Sequence, residues 1–232
     1  AYIIDSDGKN SFISRLPFKL TGAQLRTIDE IAADMASGKQ MCRLVQGDVG
    51  SGKTIVAAAA AYLTIKSGHQ AVIMAPTEIL AAQHYDSMKK LFEPMGIRVV
   101  LLTGGVRAKE KRFIKEDISL GTAQLVVGTN AVIQKDVDFF DAGLVIVDEQ
   151  HRFGVEQRGR LIEKSNNPHL LVMSATPIPR TLALILYGDL KISVIDELPP
   201  GRSEVKTYAV GENMRTRINA FIEKNLADGG QC

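Results

Sequence analysis

The stretch Gly47-Asp48-Val49-Gly50-Ser51-Gly52-Lys53-Thr54 constrains this chain more than any other. It is a full match to the pattern G-x-x-x-x-G-K-[ST], and it stands between an apolar run at 41–46 and a long apolar, Ala-rich stretch at 54–67. Glycines at these places let the backbone turn sharply and aim several N–H groups at one point, where they bind a phosphate. The helix that follows adds its positive N-terminal end. Lys53 then reaches the β and γ phosphates of a nucleotide, and the Thr54 hydroxyl holds Mg²⁺. Residues 47–54 are therefore the candidate nucleotide-binding set. The alanines at 57–61 need no chemistry, because small residues favour helix and let it pack closely on a sheet.

A strand before such a loop and a helix after it begin a pattern that continues. Apolar runs at 41–46, 70–75, 97–102, 124–128, 143–148 and 169–174 read as strands. Several are apolar without alternation, as expected of strands covered on both faces. Helical spacing occupies 54–67, 78–92, 107–119, 156–164 and 178–187. Strand then helix, repeated, predicts an α/β fold with a parallel sheet and right-handed crossovers. One helix precedes the series: Thr21 followed by Gln24 is a capping-box pattern, and Leu25, Ile28, Ile31, Ala32 and Met35 follow at helical spacing until Gly38. After Pro199-Pro200-Gly201 come a β-like run at 205–210 and a helical pattern at 213–226.

Composition narrows the class. With 232 residues, 45% hydrophobic and 23% charged, the chain is globular rather than disordered. No apolar run approaches the roughly 18–20 residues of a membrane span, so no membrane partner is expected. The opening residues carry no basic n-region of a secretory leader. Cys42 and Cys232 lie far apart without metal or redox spacing, which makes a reducing cytoplasm the expected location. A net charge of +2 neither requires nor excludes nucleic acid; any polyanion must be held by local donors.

The second chemical signal is the strand end Leu144-Val145-Ile146-Val147-Asp148-Glu149-Gln150-His151. Phosphoryl transfer to water needs a carboxylate for the metal and a group that activates the water. Asp148 suits the first role and Glu149 the second. Asp148 stands about three strand–helix units of roughly 30 residues beyond Lys53, which permits both to reach one edge of a parallel sheet. Lys53, Asp148 and Glu149 are the candidate catalytic residues, and Thr54 and Asp148 the candidate metal ligands.

With the tetrapeptide Asp148-Glu149-Gln150-His151 added to the phosphate loop, the chain resembles the superfamily 2 helicases. Residues 16–24 are similar to the glutamine motif of that family, 75–84 to motif Ia, 102–105 to Ib, 128–131 to Ic and Ser174-Ala175-Thr176 to motif III. The longer strings at 46–54, 148–155, 175–184, 187–190 and 199–202 look like the branch-migration DNA helicases within the superfamily. Translocase modules of transcription-repair coupling factors share the Pro-Ile-Pro-Arg-Thr string, but Ser51, Gln150 and the 187–190 run favour the former. The resemblance covers about residues 12–232. It implies an α/β P-loop NTPase fold, a RecA-like three-layer sandwich with a mostly parallel central sheet flanked by helices, and ATP and Mg²⁺ as cofactors, with Gln24 bonding adenine. It also implies that His151, Ser174, Ala175 and Thr176 couple the nucleotide to DNA, and that Pro76, Thr77, Thr103, Gly104, Gly105, Thr129 and Asn130 contact DNA. Asn130 departs from the family, which usually has His there. Gln24 can equally be the partner in its own capping box, and 174–176 can be plain strand-end turn residues.

The DNA-side residues each follow a strand. Thr and Asn side chains, glycine amides and helix N-termini donate to phosphate oxygens without reading sequence. Sequence-nonspecific, branched DNA is the partner implied. Arg107, Lys109, Lys111, Arg112 and Lys115 read as a solvated face. The expected organisation is a connecting segment at 1–15, a helicase ATP-binding RecA-like domain at 16–200, and a linker with the first elements of a second RecA-like domain at 201–232. No Q-x-x-G-R-x-G-R string supplies an arginine finger. Hydrolysis is thus expected to need a second motor domain, and fork engagement a wedge domain, of the same full-length, monomeric chain. A kinase or GTPase is disfavoured by the absent N-K-x-D element, and a non-hydrolysing nucleotide sensor by Glu149. Replacing Glu149 by Gln in the full-length protein is predicted to preserve ATP binding and remove turnover. Binding and phosphate-release assays separate the two effects, and loss of binding would make Glu149 a structural or metal residue.

Overall fold

The computed structural model describes residues 2, 6–148, 167–176, 190–197, 199 and 207–230. The helices expected at 156–164 and 178–187, and the site candidates Glu149 and His151, lie outside them. The chain divides into two compact units, 1–200 and 201–232.

The first unit is built on seven strands: β1 (Cys42–Gly47), β2 (Gln70–Met74), β3 (Val99–Leu102), β4 (Leu125–Gly128), β5 (Ala142–Asp148), β6 (His169–Ser174) and β7 (Lys191–Ile195). They form one sheet in the order β3-β4-β2-β5-β6-β1-β7, and every pair is parallel rather than mostly so. Among the described residues its helices are α1 (Ser6–Ile13), α2 (Gly22–Ala36), α3 (Lys53–Lys66), α4 (Glu78–Phe92) and α5 (Ala108–Ser119). Successive strand residues point to opposite faces. Val45, Ile73, Val127, Ile146 and Met173 share one core with residues of α1 to α4, and Leu44, Val72, Val126, Val145 and Val172 share the other with Ile118 of α5. Both faces are covered, which makes three layers and explains why the strands read as unbroken apolar runs.

Two elements are not among those expected from the sequence. Helix α1 falls in the segment expected to be a connection; its Phe12 is buried, with ring centroids 5.2 Å from Tyr62 and 6.3 Å from Phe92. Strand β7 adds an edge beside β1. Its Ser193 and Lys191 join a polar cluster around Arg43, which is 6% exposed. Arg43 donates to Asp34 through Nε (2.9 Å) and Nη2 (2.7 Å), and through Nη1 to Glu30 (2.8 Å) and Ser193 (2.6 Å). Lys191 donates to the other Asp34 oxygen at 2.6 Å. Burial alone would raise the Asp34 pKa, but the bonds from Lys191 and Arg43 hold it below the usual carboxylate value.

The N-terminal ends of the strands are closed by side chains that satisfy backbone groups. Buried Gln70 donates to the carbonyls of Ile118 (3.0 Å) and Ala123 (2.7 Å) and accepts from the Asp141 amide (3.1 Å). Tyr2 donates to the Gly143 carbonyl at 2.5 Å, its ring 4.4 Å from that of His169. The second unit contains α6 (Arg215–Ala227) after a 3₁₀ turn at Glu212–Met214. The β-like run expected at 205–210 forms no strand at 207–210. A strand needs a neighbour for its N–H and C=O groups, and none is supplied there among the described residues.

His169 generates a pH prediction. Its Nδ1 accepts from the Met41 amide at 2.8 Å, so the folded ring is neutral with the proton on Nε2. Burial, with His69 nearby, lowers its pKa from 6.5 to about 4. A depressed pKa means the unfolded chain binds the proton first: stability is full above about pH 6.5 and falls as pH drops toward 4. The loss should be about 2–3 kcal/mol. His169→Asn keeps an acceptor for Met41 without titrating. Urea denaturation at pH 7.5 and 4 should show the wild type losing that much more stability than the variant.

Candidate nucleotide-binding site and neighbouring sheet edge

Parallel pairing gathers all strand C-termini at one edge, and the candidate residues lie there in a definite order. Thr103, Gly104 and Gly105 follow β3; Thr129 and Asn130 follow β4; Pro76 and Thr77 follow β2. Next comes Asp148 at the end of β5, then Ser174, Ala175 and Thr176 at the end of β6. The phosphate loop follows β1. The DNA-side candidates thus occupy three adjacent strands and the phosphate loop a separate one. Asp148 lies between them, two strand spacings or roughly 10 Å from β1.

The phosphate loop has the conformation its glycines permit. Gly50 and Gly52 have φ of 81° and 85°, in the left-handed region. Gly52 is the N-cap of α3, so Lys53 and Thr54 open the helix. The Lys53 ammonium donates to the carbonyls of Gly47 (2.7 Å) and Asp48 (3.0 Å), lying back across the loop. Asp48, Val49 and Gly50 are exposed at the tip. Ser51 is buried, and its hydroxyl has no hydrogen-bond partner among the described residues. A Cβ on Gly47 would come within 2.6 Å of that hydroxyl. A curled loop with an unpaired buried hydroxyl and a lysine poised above it fits a polyphosphate chemically.

Gln24 ties this loop to α2. Its Oε1 accepts from the Thr21 amide (2.9 Å), its own amide donates to Thr21 Oγ1 (3.2 Å), and its Nε2 donates to the Ser51 carbonyl (2.8 Å). The capping box is therefore complete, and the same side chain also reaches the phosphate loop. Nε2 retains one hydrogen for a base. Beside it lies an open groove of about 1240 Å³, mostly apolar, whose lining includes Phe18, Gln24, Gly52, Thr54, Ile55 and Met88. Phe18 is 53% exposed, a flat apolar ring next to a phosphate site. Its place in the sequence, six residues before Gln24, carried no separate signal.

Asp148 is held by a residue to which the sequence reading gave no role. His84 of α4 donates from Nε2 to Asp148 Oδ2 at 2.6 Å, and both side chains are largely buried. Ser174 is buried; its hydroxyl bonds Thr176 Oγ1 (3.1 Å) and accepts from the Thr176 amide (3.2 Å), which closes a tight turn. The turn role is thus present in the motif expected to couple the two sites.

On the DNA side, the Thr77 side chain accepts from the Leu80 amide (3.3 Å) and caps α4. Gly105, expected to offer its amide to a phosphate, donates it to Glu78 Oε1 at 2.8 Å. Gly104 and Asn130 are exposed, whereas Thr103 is buried. Asn130 begins a 3₁₀ turn, Asn130–Ile133.

Comparison with known proteins identifies the family and the fold. The family model described as DEAD/DEAH box helicase matches residues 21–185. The ATP-dependent DNA helicase RecG of Bacillus subtilis is 53% identical over 221 residues, covering 95% of this chain and 32% of that protein. RecG of Escherichia coli K12 is also 53% identical, over 90% of this chain and 31% of its own length. A solved structure of RecG bound to a three-way DNA junction superposes with a TM-score of 0.84 at 44% identity, covering 98% of this chain and 31% of that one. The DEAD-box helicase Mss116, at 20% identity and a TM-score of 0.68, shares the fold. The chain spans about a third of the length of the RecG proteins it matches. It belongs to the DEAD/DEAH box helicase family, and within that family its similarity is to RecG.

Proposed function

We propose that this chain is the ATP-binding motor lobe of an ATP-dependent DNA helicase that acts on branched DNA, remodelling forks and junctions in recombination and repair. The observation that carries it is the order along the sheet edge: phosphate loop on β1, metal-binding carboxylate on β5, and strand-end donors on β2, β4 and β3. Nucleotide and DNA thus bind to one rigid sheet at separate places. The similarity to RecG along nearly the whole chain supports the same reading.

In this reading the backbone amides of residues 48–54 hold the β-phosphate, and Lys53 leaves the Gly47 and Asp48 carbonyls to meet the γ-phosphate. The adenine lies in the groove beside Phe18 and takes the remaining Nε2 hydrogen of Gln24. Thr54 and Asp148 would hold Mg²⁺, which would supply charge neutralisation on the bound polyphosphate. Mg²⁺ is commonly bound by one or two protein oxygens together with phosphate, and the Thr54 hydroxyl and the Asp148 carboxylate are oxygens of that kind. Glu149 activates the water, and His151 with Ser174 and Thr176 links the two sites. A second motor domain supplies the arginine finger, and a wedge domain of the same monomeric chain engages the branch.

Two outcomes are predicted. Lys53→Ala should weaken ATP–Mg²⁺ binding at least about tenfold while changing fold stability by less than about 1 kcal/mol, because its bonds to the Gly47 and Asp48 carbonyls lie at the partly exposed rim of the loop. Calorimetric titration beside thermal melting reads both, and unaltered affinity would remove the phosphate-loop assignment. In the full-length protein, three-way or forked DNA should stimulate ATP hydrolysis far more than linear duplex of equal length. The 232-residue chain alone should turn ATP over slowly or not at all. Equal stimulation by linear and branched DNA would refute the branched-substrate reading.

A further inference from the structure

The inner face of α4 follows a strict helical stripe: Ala81, His84, Met88 and Phe92 are its buried residues. Three are apolar and meet the expected demand of a helix packed on a sheet. His84 is the exception, only 9% exposed, and a buried imidazole costs free energy unless its N–H groups find acceptors. Its Nε2 finds Asp148 Oδ2 at 2.6 Å, across 64 residues of chain. With an ionised carboxylate the proton must reside on Nε2, so the imidazole is the donor.

We infer that His84 is the positioning residue of the metal-binding carboxylate. The bond occupies Oδ2, restrains the rotation of the Asp148 carboxyl group, and leaves Oδ1 as the oxygen available to a metal. Metal-ligating carboxylates are commonly held this way, and loss of the holding group weakens metal binding by about 10–100-fold. Another acceptor-free arrangement was open to the sequence, since Leu or Met at position 84 would fill the stripe without a polar cost. The location matters too. Thr77 caps α4 and Pro76 precedes it, so the helix that begins at the DNA-side edge holds the carboxylate about 10 Å further along. The geometry of the metal site is therefore set from the helix that DNA would touch first.

The inference rests on the ATP–Mg²⁺ reading of the site, and its test separates the two. Three full-length proteins are compared: wild type, His84→Leu, which keeps the volume without a donor, and His84→Gln, whose amide nitrogen sits as many bonds from Cβ as Nε2 does. The readout is Mn²⁺ affinity of the ADP complex, followed by the free-Mn²⁺ electron paramagnetic resonance signal, with metal-free ADP affinity measured alongside. His84→Leu should lose about 10–100-fold in Mn²⁺ affinity with metal-free ADP binding unaltered, and His84→Gln should recover most of that loss. In steady state, excess Mg²⁺ should restore the His84→Leu turnover number, because the defect lies in metal binding. Wild-type Mn²⁺ affinity in His84→Leu would overturn the inference, and a Gln variant as weak as the Leu variant would reduce His84 to a packing residue. A wild-type ADP complex that takes up no Mn²⁺ would instead sink the nucleotide–metal reading on which it rests.

Discussion

Parallel pairing is the constraint from which the rest of this structure follows. In a sheet whose strands all run the same way, each must be reached by a crossover, and each ends at the same edge. Residues far apart in the chain, such as Gly47, Thr77, Asp148 and Ser174, therefore meet without any tertiary contact arranged for each of them. The cost is burial of the backbone on both faces. The chain meets it with two apolar cores and with polar side chains such as Gln70 that close the opposite ends of the strands.

The phosphate loop shows a second dependence, on one amide side chain. Gln24 completes the N-terminal cap of α2 and, through Nε2, pins the Ser51 carbonyl. Gly52 is required twice: its φ of +85° disfavours any side chain, and a Cβ there would stand 2.2 Å from Gln24 Nε2. The cap of one helix and the start of another are thus locked together at the place where a nucleotide would sit. A base that drew Gln24 toward it would strain both, which gives a physical route from adenine recognition to loop shape.

How much of this was legible in the sequence divides by the range of the interaction. The phosphate loop, the capping box and the doubly buried strands are local patterns, and each appears where its residues predicted. Strand β7 was not legible because Lys191 and Ser193 interrupt its apolar pattern, and those polar residues are explained only by Arg43 and Asp34, which lie far back in the chain. Helix α1 lacked a readable cap and a strong apolar stripe; Phe12 has meaning only against Tyr62 and Phe92. His84 was hidden by success: it occupies a position in a regular stripe, where periodicity reports burial and is silent on a partner 64 residues away. Resemblance supplied roles for 174–176 and 103–105, but could not show that Ser174 closes a turn or that the Gly105 amide is already bonded.

That last bond bears on how a nearly neutral chain could hold the DNA proposed for it. Glu78 puts a carboxylate oxygen 2.8 Å from the Gly105 amide, where the family resemblance puts a DNA phosphate. A carboxylate oxygen and a phosphate oxygen make the same demand on an N–H donor, so the site has the right chemistry whichever anion fills it. Two consequences follow. If DNA took the Gly105 amide it would have to displace a charge of its own sign, so that contact adds little net affinity. If DNA binds as proposed, Gly104, Thr129 and Asn130 on the neighbouring turns, together with the N-terminus of α4, would supply the remaining donors. Weak, sequence-blind contacts of this kind would suit the DNA motor lobe proposed above, which would have to release DNA as readily as it grips it.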